Sequence, residues 1–163
     1  MAKKPKLKKT LPEQILDKAK IPYQSFVFED YEDKELVNAN HREVDEHIIY
    51  KTLALTGNVT GAIIGIIPLD AHLDYKKLSK ASGNKKVGMI PLKELEKTTG
   101  YIHGTNNPVG IHQTKKFPIF IDKEAIEQGE IIVSAGELHR SIKVNAQQLA
   151  DFVGATFVDL QED

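Results

Sequence analysis

Residues Ile48–Pro68 read IIYKTLALTGNVTGAIIGIIP, and this stretch decides the architecture. Two β-rich runs, Ile48–Leu55 and Val59–Pro68, flank Thr56-Gly57-Asn58. A glycine-containing turn between such runs predicts a β-hairpin. The second arm contains the longest apolar run of the chain, Ala62–Pro68, far too short to span a bilayer. In the first arm, strand alternation puts Ile49, Lys51, Leu53 and Leu55 on one face. Read alone, a lysine among leucines either snorkels to solvent, the commoner case, or lines the edge of a cleft.

Outward from the hairpin, the chain alternates between short helices and short strands. Thr10 with Glu13 three residues on predicts a capped helix with Pro12 in its first turn, ending near Lys20 because Pro22 disfavours helix before it. Tyr23–Phe28 alternates and is aromatic, a strand signal. Acidic residues 29–40 read as a surface loop, and His41–Ile48 as a short helix. Helices are expected over Asp74–Ala81 with Gly83 as left-handed cap, over Pro91–Thr98 with Gly100 past its end, and over Ala146–Val153 between Asn145 and Gly154. Lys86–Ile90, Phe117–Ile121, Glu130–Ser134, Ser141–Val144 and Thr156–Leu160 read as strands, with a short helix from Lys123. Tyr101–Lys116, rich in Gly, Asn and Pro, reads as a long loop, and long loops in compact domains are often functional. The sum is an α/β (α+β) chain with a mixed sheet.

The length of 163 residues fits one domain, and no apolar leader follows the basic start. The absence of cysteine excludes disulfides, thiolate metal sites and cysteine nucleophiles. With no export signal, the cytoplasm is the expected compartment. Of the 22 basic residues, five (Lys3, Lys4, Lys6, Lys8, Lys9) lie in residues 1–9; the remaining 17 face 23 acidic residues, leaving the body near −6. A basic arm over residues 1–9 on an acidic body (residues 10–163) can attract phosphate, although a solubilising tail is the commoner reading.

Gly104-Thr105-Asn106-Asn107-Pro108-Val109-Gly110 is the second feature of note. Glycines let backbone N–H groups approach a ligand and hold a carbonyl or developing oxyanion. The plain alternative is a turn. Ser134-Ala135-Gly136 follows an apolar strand but lacks the Gly-x-Ser-x-Gly elbow of a serine nucleophile. None of the six histidines has the paired spacing of a helical zinc site, and no nucleotide fingerprint or P-loop occurs. No metal and no cofactor is expected.

In combination, these segments resemble the YbaK/EbsC family of aminoacyl-tRNA deacylases. The matching order is Tyr50-Lys51-Thr52-Leu53, Leu73–Leu78, Lys85-Lys86-Val87, Thr99–Gly110 and Ile132–Gly136, and the resemblance covers roughly Thr10 to Asp159. It implies a six- to seven-stranded, mixed, barrel-like sheet surrounded by helices, like the editing insertion of bacterial prolyl-tRNA synthetases. It also implies a trans-acting hydrolase of mischarged tRNA, Cys-tRNA(Pro) or Cys-tRNA(Cys), that needs no metal. The implied partners are tRNA(Pro) and prolyl-tRNA synthetase, with the protein a monomer or weak dimer.

Carried over by position, Lys51 matches the essential family lysine and Gly104 the glycine whose N–H polarises the ester carbonyl. Phe28, Thr52, Thr105, Pro108, Ser134, Gly136 and Ser141 match substrate-binding positions. The resemblance further implies that the substrate's own thiol attacks the ester. Phe28 stands where tyrosine is common, Ser141 where aspartate is common, and His103 where an apolar residue is common. These departures bear on amino-acid preference. Removal of alanine or another small amino acid, and a non-catalytic tRNA-binding module, are the alternatives.

Overall fold

The computed structural model describes residues 8–27 and 46–163. In chain order the elements are α1 (Leu11–Lys18), β1 (Tyr23–Val27), a 3-10 turn (Glu46–Ile48), β2 (Tyr50–Gly57), β3 (Gly61–Pro68), α2 (Tyr75–Ser82), β4 (Val87–Met89), α3 (Leu92–Thr99), α4 (Pro108–Thr114), β5 (Ile119–Asp122), α5 (Glu124–Gln128), β6 (Glu130–Ser134), β7 (Arg140–Asn145), α6 (Ala146–Val153) and β8 (Thr156–Val158). The expected helix over 41–48 is described only from Glu46, and residues 1–7 of the basic arm, with Phe28, lie outside the described residues.

The expected hairpin is the backbone of the larger sheet. β2 and β3 pair antiparallel from Tyr50↔Pro68 to Gly57↔Gly61, so the turn is Asn58-Val59-Thr60, shifted from the expected Thr56-Gly57-Asn58. Side chains decide the shift. The Asn84 carboxamide accepts the Val59 and Thr60 N–H groups at 2.8 and 3.0 Å, while Asn58 accepts those of Lys85 and Lys86, both at 2.9 Å. Two asparagines thus lock the turn to the loop before β4.

β3 is buried on both faces, which explains its continuous apolar run. Ile63 and Ile67 join Leu55, Leu78 and Phe120 on one side of the sheet. Ile64 and Ile66 join Ala54, Ile119, Ile121, Ile131, Val133 and Leu149 on the other. Each fully buried isoleucine contributes about 1.5–3 kcal/mol, so this strand anchors both layers.

The sheet does not close into the expected barrel. Among the described residues there are eight strands in two sheets, one ordered β1-β7-β6 and the other β4-β2-β3-β5-β8. A single parallel bridge, Ile49↔Ile132, links them. β2 leaves β6 after that bridge, and β4 joins β2 only from Leu55. Between these points the outer edge of β2 has no strand partner among the described residues, so the ring of hydrogen bonds that a barrel requires is broken there.

Helix ends follow local chemistry. Thr10 and Glu13 form the expected capping box; Gly83, Gly100 and Gly154 are left-handed caps; Asn145 accepts from the Gln148 N–H. The long loop over 101–116 was only half a loop. Asn107 accepts from the Gly110 N–H at 2.6 Å and Pro108 occupies the first turn of α4, burying Val109 and Ile111. Among the described residues no helix is long and apolar enough to cross a membrane.

Candidate functional site

The split between the sheets opens a cavity of about 560 Å³. Ile49 and the first half of β2, to Ala54, line one side, and β6 and the start of β7 line another with Ile132, Ser134 and Ser141. His103, Gly104 and Asn106 of the loop before α4 close one end. Lys51 and Thr52 lie on the segment of β2 whose outer edge is unpaired. The Ala54 carbonyl accepts from the Ile90 N–H on that outer side. Strand alternation therefore turns the main-chain groups of Thr52 to the same side, toward the gap.

Gly104 has φ +90°, a conformation that favours glycine, and an added Cβ would stand 3.3 Å from Leu138. The residue is exposed, and its N–H meets no acceptor among the described residues. Gly110 serves packing instead, because an added Cβ would fall 1.9 Å from the Tyr101 hydroxyl.

Ser134 and Ser141 face one another across β6 and β7. The Ser134 hydroxyl accepts the Gly136 N–H at 3.1 Å. Of the other expected residues, Thr105, Pro108 and Gly136 do not line the cavity. Thr105 is buried with its hydroxyl donating to the Ile102 carbonyl at 2.9 Å, and Pro108 starts α4.

Among the described residues, the ionisable ones lining the cavity are Tyr50, Lys51, His103, His139 and Arg140, with no carboxylate among them. Such a lining favours phosphate, a carbonyl or a developing oxyanion. Arg140 is 7% exposed and its charge is compensated. It donates to the Lys8 carbonyl at 2.7 Å and to the Glu13 carboxylate at 3.1 Å. Glu13 also accepts the Thr10 N–H at 2.8 Å and the Ser25 hydroxyl. One buried carboxylate thereby ties α1, β1 and the cavity wall together, and the chain enters from the basic arm at Lys8.

Asn106 and Arg140 were absent from the residues singled out by sequence. Arg140 left no readable signal. Asn106 left a faint one: Asn107 caps α4, which leaves the neighbouring asparagine without a local structural task. Burial and the nearby Glu124 and Asp122 carboxylates push the Tyr50 hydroxyl pKa up, in that order. That hydroxyl donates to Gln128 at 2.5 Å, so Tyr50 stays protonated and structural.

The sequence matches the family described as "Aminoacyl-tRNA editing domain" over residues 32–152. It is 39% identical over 163 residues to a protein of Enterococcus faecalis named "Putative Cys-tRNA(Pro)/Cys-tRNA(Cys) deacylase EbsC", with 98% of each chain covered. Among solved structures, it resembles one described as "Crystal structure of a putative trans-editing enzyme for prolyl tRNA synthetase" (TM-score 0.74, 20% identity, 92% of this chain and 94% of that one). It also resembles a scaffold used for epitope backbone grafting by computational design (TM-score 0.76, 20% identity, 93% and 95% covered). At that identity the structural likenesses speak for the fold alone.

Proposed function

The chain belongs to the YbaK/EbsC family of aminoacyl-tRNA editing domains, and from that premise we propose that it hydrolyses the ester of mischarged tRNA in trans. The substrate is Cys-tRNA(Pro) or Cys-tRNA(Cys), the pair for which its Enterococcus relative is named. The observation that carries this reading is one cavity bounded by Lys51, Thr52, the left-handed Gly104, Ser134 and Ser141, with no carboxylate among the described residues of its lining.

The chemistry follows from that lining. The aminoacyl group enters the cavity, and the terminal adenosine with its phosphates stays at the mouth. The Lys51 ammonium and the Gly104 N–H hold the ester carbonyl and stabilise the negative charge that grows on its oxygen. A chain without cysteine of its own is compatible with what the family resemblance implies, that the thiol of the bound cysteine is the nucleophile. Its sulfur bonds to the carbonyl carbon, the bond from that carbon to the ribose oxygen breaks, and the thiol proton ends on that oxygen. Water then opens the resulting thiolactone to free cysteine.

The residues from Thr10 onward act as one editing domain, a monomer or weak dimer in the cytoplasm, on tRNA(Pro) alone or with prolyl-tRNA synthetase. Lys8 is fastened beside the cavity wall by Arg140, which supports a role for the basic arm on nearby tRNA phosphates. Deleting residues 1–7 should then flatten the salt dependence of tRNA binding; an unchanged slope would make the arm a solubility tail.

The decisive experiment is release of labelled amino acid from Cys-tRNA(Pro), Ala-tRNA(Pro) and Pro-tRNA(Pro). Hydrolysis of the cysteine ester, reduced about 10²–10³-fold in folded Lys51→Ala, is expected for loss of one carbonyl-stabilising group. Near-normal hydrolysis in Lys51→Ala would overturn the site. Binding of tRNA with no ester hydrolysed would replace the enzyme with a binding module.

A further inference from the structure

Two residues of the cavity lining each carry a buried polar atom that no described group satisfies: the carboxamide oxygen of Asn106 and the hydroxyl oxygen of Thr52. Buried polar groups almost always find a partner, and leaving one bare costs about 1–3 kcal/mol. Two at one cavity point to a ligand that brings donors. Asn106 is 7% exposed. Its Nδ2 donates to the Ile102 carbonyl at 3.3 Å, which sets the amide's orientation and leaves Oδ1 as the unused atom.

An aminoacyl ester offers acceptors at its carbonyl and phosphates, and donors at its α-amino group and ribose hydroxyl. Lys51 and the Gly104 N–H suit the acceptors. Among the described residues no carboxylate lines the cavity to receive a donor, and neutral oxygens are the acceptors at hand. Asn106 is two residues from Gly104, and the α-carbon is one bond from the ester carbonyl carbon. Asn106 is also buried, so it meets the aminoacyl group that enters the cavity rather than the nucleotide at its mouth. We propose that Asn106 Oδ1 receives the α-amino group of the aminoacyl ester. This inference rests on the deacylase reading.

The test compares two tRNA(Pro) esters, cysteinyl and 3-mercaptopropionyl, which keep the same thiol and differ by the amine. Wild-type protein should cleave the cysteinyl ester with a kcat/KM about tenfold or more above that of the amine-free ester, the worth of a hydrogen bond to a charged donor. Asn106→Leu should lose that factor on the cysteinyl ester and nothing on the amine-free one. Equal cleavage of both esters by wild-type protein would overturn the assignment without recourse to any variant. An equal loss on both esters in Asn106→Leu would make Asn106 a merely structural residue, and Asn106→Ala repeats the comparison if the leucine variant does not fold. Failure of wild-type protein to cleave either ester would overturn the deacylase reading itself.

Discussion

Asn84 and Asn106 are each 7% exposed, and they have opposite fates. Asn84 uses its whole carboxamide. Its oxygen accepts two N–H groups of the β2–β3 turn, and its nitrogen donates to the hydroxyls of Thr60 and Ser82 at 3.0 and 2.8 Å. Asn106 uses only its nitrogen, in a long bond of 3.3 Å. The same contrast runs between the regions around them. At the end of the sheet away from the cavity, buried Asp122 accepts the Leu160 and Glu124 N–H groups and the Gln161 amide, and Lys77 ties α2 to Asp159, Asp163 and the Gln161 carbonyl. At the cavity, Thr52 and Asn106 have oxygens to spare. Saturated polar groups hold a fold together; bare ones at a cavity cost stability and prepare it to bind.

The largest stability effect should come from a third saturated site, the Glu13–Arg140 pair, whose side chains are 2% and 8% exposed. Glu13→Ala leaves Arg140 only the exposed Glu137 carboxylate, 3.6 Å away, and should cost about 3 kcal/mol in denaturant unfolding. A loss under about 1 kcal/mol, the worth of a surface pair, would mean that water reaches Arg140. The asparagine comparison is sharpened next. Asn84→Leu strands two turn N–H groups and should cost about 1–3 kcal/mol. Asn106→Leu removes a bare oxygen and one long bond, so its melting temperature should stay within about 2 °C of wild type or rise. Equal losses in the two variants would break the contrast and show that Asn106 has an acceptor's work inside the protein.

The site was half legible in the sequence. Lys51 and Gly104 stood out because a lysine in an apolar strand and a glycine-rich stretch are local anomalies. Asn106 did not, because a bare oxygen is defined by which distant groups fail to reach it. The helix over Pro108–Thr114 was missed although Asn107 and Pro108 form the same kind of start as other capped helices. Gly110, a poor helix former, masked it, and its presence answers to the Tyr101 ring packed against it.

Local chemistry in the chain was enough to determine the capped helices, the β2–β3 hairpin and the mixed α/β class, because caps, turns and alternation act between residues close in sequence. The two-sheet architecture was decided only in three dimensions. Whether β2 stays with β6 or leaves it after Ile49 depends on the packing of Ile132, on β4 joining at Leu55 and on the cores on either side. Strand pairing between distant segments has no local signature. The cavity and the bare oxygens of its lining residues exist only where that pairing stops.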